Sequence, residues 1–301
     1  MATTTIFGVP HHYQFITEGT GAPFVFIHGW LLSHSYWQPV MHQLMGRHPC
    51  LAYDLRGFGE SRYHLDRYEP GLPPKAEAMG ASDSPYGLAA YARDLAALLK
   101  QLNLGPVWLV GHSLGGSIAL WTAYCYPDQV QGVICLNSGG GIYIDRDFRQ
   151  FRQAGQQIVR WRSPWLGRVP ILPLLLSRMM VAKPLPYQWG WQRCQDMLCA
   201  DSVAARGALL ESTTEAEVHL LPRIVSGLTQ PVYFIAGRQD QVMGLTFVNH
   251  LAGYLPATEA GSKTVFELDN CGHMAMIEQP QAVVDALKTI VSHSKQSHSK
   301  Q

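Results

Sequence analysis

Val107-Trp108-Leu109-Val110-Gly111-His112-Ser113-Leu114-Gly115-Gly116 is the stretch on which the reading of this chain turns. Four apolar residues of strand-forming type run straight into a serine that has a glycine two places before it and another two places after. A helix is expected from Ser113 to about Tyr126, closed by Pro127. Strand, sharp turn and helix in immediate succession put the serine at an apex, in strained backbone geometry. Its neighbours must be small there if strand and helix are not to clash.

Working outward, short apolar runs alternate with helical patterns, the rhythm of a mostly parallel sheet covered by helices. Phe24-Val25-Phe26-Ile27 reads as a buried strand ending at His28-Gly29, and Cys50-Leu51-Ala52-Tyr53 as another ending at Asp54. Leu88, Tyr91, Leu95, Leu98 and Leu102 recur at spacings of three and four, so residues 86–102 form an amphipathic helix. Gly132–Leu136, Pro231–Ala236 and Thr264–Leu268 supply further strands, and Gln281–Val291 a last amphipathic helix. Two stretches break the rhythm. His64–Ser84 is rich in proline and glycine and is expected to be an excursion over the surface. Residues 141–222, rich in Trp, Leu, Met and Arg, read as several helices inserted between two sheet strands. The division is therefore a core of residues 1–140 and 223–292 and a helical cap of 141–222. A polar tail, 293–301, repeats His-Ser-Lys-Gln and is expected to be disordered.

Composition narrows the function. Of the 301 residues 47% are hydrophobic and only 15% charged, enough to bury a sizeable core. A formal net charge of +1 gives no broad field for nucleic acid, and none is expected as a partner. The six cysteines lack a CxxC pair, and no basic leader followed by an apolar run opens the chain; a cytoplasmic setting is expected. The longest greasy stretch, Val169–Val181, is interrupted by Pro170, Pro173 and Arg178, so no transmembrane segment is expected. No histidine pair has HExxH spacing, and neither metal nor cofactor is expected.

A serine hydroxyl needs a base within hydrogen-bond reach. His273, in Asp269-Asn270-Cys271-Gly272-His273-Met274 just past a strand, is the leading candidate among thirteen histidines. The imidazole in turn needs an acid to fix its tautomer. Asp240 follows the strand Pro231–Ala236, and Asp269 is the rival by proximity. The chain order Ser113, Asp240, His273 and the presence of Asn137-Ser138 where an acid is sometimes found favour Asp240. Oxyanion donors are expected from the backbone N–H groups of Leu114 and Trp30, with His28 bracing the loop that carries Trp30. Trp161, Trp165, Met179, Met180, Trp189 and Trp191 are candidates for an apolar substrate pocket, or else pack cap helices together.

His28-Gly29-Trp30, Asp54-Leu55-Arg56-Gly57-Phe58-Gly59-Glu60-Ser61, Gly111-His112-Ser113-Leu114-Gly115-Gly116, Gly237-Arg238-Gln239-Asp240 and Gly272-His273 resemble the successive signatures of the α/β-hydrolase superfamily, in order, over residues 24–291. The resemblance implies an α/β-hydrolase fold: a mostly parallel eight-stranded sheet, a Ser-Asp-His triad of Ser113, Asp240 and His273, and a helical cap. Serine at 113 sets the chain apart from the similar haloalkane dehalogenases and epoxide hydrolases, which carry aspartate there. The His-Gly-Trp loop is similar to that of small esterases and cofactor-free perhydrolases. The implied function is cofactor-independent hydrolysis of a small-molecule carboxylic ester with an apolar moiety. Carbon–carbon cleavage, acyl transfer or lyase chemistry on the same triad stays open, as does a non-catalytic receptor or scaffold.

Overall fold

A computed structural model describes residues 1–140 and 145–298, the side chains of 145–148 and 295–298 aside. Eight strands form one sheet: β1 (Ala2–Ile6), β2 (Val9–Ile16), β3 (Phe24–Ile27), β4 (Cys50–Tyr53), β5 (Val107–His112), β6 (Val130–Leu136), β7 (Val232–Gly237) and β8 (Val265–Leu268). Their order is β1-β2-β4-β3-β5-β6-β7-β8, with the last six parallel and β2 antiparallel to both its neighbours, β1 and β4. The helices are α1 (Gln38–Leu44), α2 (Pro74–Ala78), α3 (Leu88–Gln101), α4 (Leu114–Cys125), α5 (Asp145–Trp161), α6 (Ile171–Leu176), α7 (Tyr187–Cys199), α8 (Ser202–Ser212), α9 (Glu215–Ser226), α10 (Leu245–Ala252), α11 (Pro256–Glu259), α12 (Ala275–Glu278) and α13 (Pro280–His298).

The parallel strands are apolar at nearly every position because both faces of the sheet are covered. Val25, Ile27, Leu51 and Leu109 point into one core with α3, α4 and α9. Phe24, Phe26, Ala52 and Trp108, the alternate residues, point into the other with α1, α12 and α13. The six parallel strands match the apolar runs in the sequence to within two residues. The antiparallel hairpin β1–β2 does not announce itself, because its first strand is a threonine-rich edge with one buried residue, Ile6. Its turn puts Phe7 (φ 45°) and Gly8 (φ 83°) in left-handed conformations, as a tight hairpin requires.

Two expected boundaries move. The division at residue 222 falls inside α9, whose Leu221, Ile224 and Val225 are buried in the same core as β5 and β6, so this helix belongs with the sheet layers. The inserted helices between β6 and β7 are thus α5 to α8; the start of the insertion at 141 lies outside the described residues. The tail expected to be disordered from 293 is helical through His298, since neither glycine nor proline follows Val291 to stop α13; residues 299–301 lie outside the described ones. The excursion 64–84 contains the short helix α2, opened by Pro74 at its first turn.

That excursion is tied down by Arg56. Its guanidinium is buried, donates to Asp94 on α3 at 2.8 Å, and lies 3.6 Å from the Tyr68 ring centroid. Tyr68 also donates to Asp94, at 3.1 Å. Removing one member of a buried pair leaves the other charge uncompensated. Asp94→Ala is expected to lower stability by about 3–5 kcal/mol in urea unfolding, and Asp94→Leu with Arg56→Met to recover part of the loss.

Candidate active site

Parallel strands deliver their C-terminal ends to one edge of the sheet, and in such folds ligands sit there. Ser113 follows β5, Asn137 follows β6, Asp240 lies three residues past β7, and His273 lies five past β8. These four strands are neighbours in the sheet, so residues up to 160 apart in sequence converge at one edge.

Ser113 sits at φ 51°, ψ −118°, between the last residue of β5 and the first of α4. A non-glycine residue with this φ costs on the order of 1–3 kcal/mol, held by its surroundings. The glycines explain how. A Cβ at Gly111 would meet the Gly115 carbonyl oxygen at 2.1 Å, and one at Gly115 would meet the Ile27 oxygen at 2.4 Å. Ser113 N–H donates to Leu136 O at 3.1 Å, fixing the apex against β6.

His273 is buried, and its Nδ1–H donates to Asp240 Oδ2 at 2.8 Å. The Asp240 carboxylate accepts three more hydrogen bonds, from Asn137 Nδ2 (2.9 Å), Val242 N–H (2.8 Å) and Met243 N–H (2.9 Å). Burial by itself would raise its pKa; the imidazole and these donors outweigh it and hold the carboxyl down to about 2. The rival Asp269 is on the surface, its carboxylate 3.1 Å from the Arg238 guanidinium, with no part in this network.

Two supports, Asn137 and Glu278, carried no motif signal, whereas His112 and His28 stand in the quoted motifs. Asn137, at φ 47°, also donates to Gly272 O (3.0 Å), joining the loops that follow β7 and β8. Glu278 accepts from the N–H groups of Gly272 (3.0 Å), Met274 (2.9 Å) and Ala182 (2.8 Å). His112 turns away from the serine and donates Nε2–H to His273 O at 2.7 Å; burial first, then the His273 ring, lowers its pKa to about 3. His28 accepts from Leu55 N–H at Nε2 (2.9 Å) and donates from Nδ1 to Gly29 O (2.7 Å), bracing the loop of Trp30. Burial pushes the thiol of Cys271, two residues before His273, up to about 12. Among the described residues, no cluster of three His, Cys, Asp or Glu could hold a metal ion.

A narrow cavity of about 80 Å³ opens at Ser113, with Trp30 and Leu114 on its wall. Its apolar lining comes from Phe151 on α5, Leu209 on α8, and Val242 and Met243 after β7, beside Ser117, Ser138 and Thr213. A larger open depression of about 890 Å³ involves other residues of α5 and α8, including Arg160 and Arg206, and holds none of Ser113, Asp240 or His273. Ser113 lines the smaller one. None of the six residues expected to form the pocket lines it. Trp161, Trp165, Met179, Met180 and Trp191 are exposed, and Trp189 packs its ring 5.6 Å from that of Tyr36. Trp161 ends α5 and the other five lie on or beside α6 and α7, whereas the insertion's share of the wall comes from Phe151 of α5 and Leu209 of α8.

The comparisons with known proteins agree with this architecture. The family model described as alpha/beta hydrolase fold matches residues 22–280. This chain belongs to that family. An uncharacterized protein of Mycobacterium tuberculosis is 34% identical over 299 residues, covering 95% of this chain and 80% of that protein. A pimeloyl-[acyl-carrier protein] methyl ester esterase of Aliivibrio salmonicida is 25% identical over 83% of this chain and 85% of its own length. Among solved structures, a thermophilic esterase from Thermogutta terrifontis superposes with a TM-score of 0.72 at 21% identity, covering 98% of this chain and 99% of that one. These likenesses support hydrolase chemistry in general.

The strain at residue 113 yields a stability test independent of activity. Glycine adopts this φ freely and alanine does not. Ser113→Gly is expected to be more stable than Ser113→Ala by about 1 kcal/mol, read from chemical denaturation. Equal stabilities would mean that the apex is unstrained.

Proposed function

We propose that this protein is a cofactor-independent serine hydrolase that cleaves a carboxylic ester through an acyl-enzyme on Ser113. The observation that carries the reading is the His273–Asp240 hydrogen bond at the strand ends beside the strained apex serine. With Nδ1–H committed to Asp240, the imidazole keeps Nε2 as its free base. Ser113 Oγ attacks the ester carbonyl carbon and its proton passes to His273 Nε2. Asp240 holds the tautomer and stabilises the imidazolium.

Negative charge then develops on the carbonyl oxygen. The N–H of Leu114, at the N-terminus of α4, and that of Trp30 are the proposed donors to it, favoured by the positive end of a twelve-residue helix. Collapse of the tetrahedral intermediate breaks the carbon–oxygen bond, and the leaving alcohol takes the proton from Nε2. Water, deprotonated by the same nitrogen, hydrolyses the acyl-enzyme and frees Ser113. The esterase relatives support an ester as substrate, and the apolar walls of the cavity support an apolar acyl or alcohol group.

A panel of p-nitrophenyl esters beside a serine-directed phosphonate tests this. Turnover and labelling are expected in the wild type. Ser113→Ala is expected to lose both, with kcat down by at least about 10³-fold. Asp240→Asn is expected to cost about 10⁴-fold in kcat and Asp269→Asn little. The reverse ranking of the two aspartates would overturn the acid assignment. Labelling of Ser113 without turnover of any ester would move the reaction to carbon–carbon cleavage, acyl transfer or lyase chemistry.

The cavity's small size sets the chain-length preference. Each buried methylene contributes about 0.8 kcal/mol, so kcat/KM is expected to rise about fourfold per carbon from acetate to butyrate. It should level off or fall by octanoate. A continued rise through octanoate would show that the walls contributed by α5 and α8 open to longer chains.

A further inference from the structure

Among the described residues, fourteen large hydrophobic side chains are exposed, and nine of them lie between residues 161 and 191. This concentration is not a by-product of packing. Ile171, Leu174 and Leu175 fall three and four residues apart on one face of α6, while Pro173 and Leu176 on the other face are buried. Tyr187 and Trp191, four apart on α7, are likewise exposed, with Gly190 and Cys194 turned inward. The two helices pack closely on each other. A Cβ at Gly190 would meet the Pro173 oxygen at 1.8 Å, and the buried Arg193 donates to Leu176 O (2.5 Å) and Met179 O (2.7 Å). Trp161 and Trp165, 71% and 60% exposed, precede the pair.

Charge is segregated in the same place. From residue 148 to 195 the sequence holds eight arginines and lysines and no aspartate or glutamate. Arg160, Arg168, Arg178 and Lys183 are exposed among the apolar residues. With a whole-chain charge of only +1, the rest of the molecule is acidic on balance. Exposed Trp and Leu set among basic residues are the composition of a surface that lies in a bilayer interface. No described helix is long and apolar enough to cross a membrane.

We infer that the α6–α7 face is a peripheral docking surface for an anionic lipid bilayer. Its apolar stripe enters the headgroup boundary and its basic residues contact the lipid phosphates. A second copy of the chain fits less well: in a twofold contact the patch would meet itself, setting unopposed cations against one another. The face borders the candidate active site through the backbone, since Met180 O accepts from His273 N–H at 2.8 Å and Gly272 packs against Val181. The inference does not depend on the reaction catalysed.

Cosedimentation of the full chain with phosphatidylcholine vesicles, with and without phosphatidylglycerol, tests it. Binding is expected only where phosphatidylglycerol is present, weakening as salt is raised, with a blue shift of tryptophan emission. The combined variant Leu174→Ser, Leu175→Ser, Trp191→Ser is expected to lower the partition coefficient by at least about 100-fold. The combined Arg168→Gln, Arg178→Gln, Lys183→Gln variant is expected to lower it by about 100-fold on the anionic vesicles. Both should keep the wild-type circular dichroism and hydrolysis of a water-soluble short ester. Wild-type protein left in the supernatant at low salt, or variants that bind as well as it does, would overturn the inference. A wild-type dimer that ignores vesicles and that the leucine variant dissociates would assign the face to a second copy instead.

Discussion

The geometry of the site rests on a close approach of backbone to backbone. The N-terminus of α4 lies so near the end of β3 that Gly115 has no room for a side chain against the Ile27 carbonyl, and Gly111 has none against Gly115. Packing at that distance leaves the chain one way round the corner, with residue 113 at positive φ and its side chain at the mouth of the cavity. The cost is local, and the buried strand and helix on either side of the corner, β5 and α4, offset it. Gly29 follows the same constraint, since a Cβ there would lie 2.7 Å from the His112 ring. Around the serine, loops, helix and sheet are therefore spaced by glycine backbone rather than by side chains.

Polar satisfaction then positions everything else. A carboxylate as buried as Asp240 is tolerable only with its oxygens engaged, and His273, Asn137 and two backbone N–H groups engage them. The loop that carries His273 is fastened independently by Glu278, by His112 and by Met180 O. The imidazole is thus held from several sides, the preorganisation that the proposed proton transfer would call on.

The insertion divides its work between two helix pairs. α5 and α8 turn Phe151 and Leu209 toward the cavity, and Trp30 Nε1–H reaches Ala205 O on α8 at 2.8 Å, tying the insertion to the loop after β3. α6 and α7 pack on each other and leave their apolar stripes outward. The pocket and the greasy surface are therefore different parts of one insertion, although their compositions look alike.

Most of the frame could be read from the residues in order. The parallel strands are legible because strands buried on both faces must be apolar at consecutive positions, and the turn at Ser113 because only glycine tolerates the approach behind it. The expectation of Ser113, Asp240 and His273 rests on strand ends and chain order, and the fold brings His273 and Asp240 within hydrogen-bond distance. The threonine-rich β1 and the membership of α9 in the core were not legible, because edge strands and helix docking are fixed by neighbours more than by local preference, whereas the continuation of α13 had a signal in the absence of glycine or proline after Val291. Nor could composition tell which apolar residues face the cavity. Trp161 and Trp191 have the same character as Phe151 and Leu209, and Trp161 even shares α5 with Phe151; only the packing of the inserted helices decides which of them lines the cavity and which meets solvent.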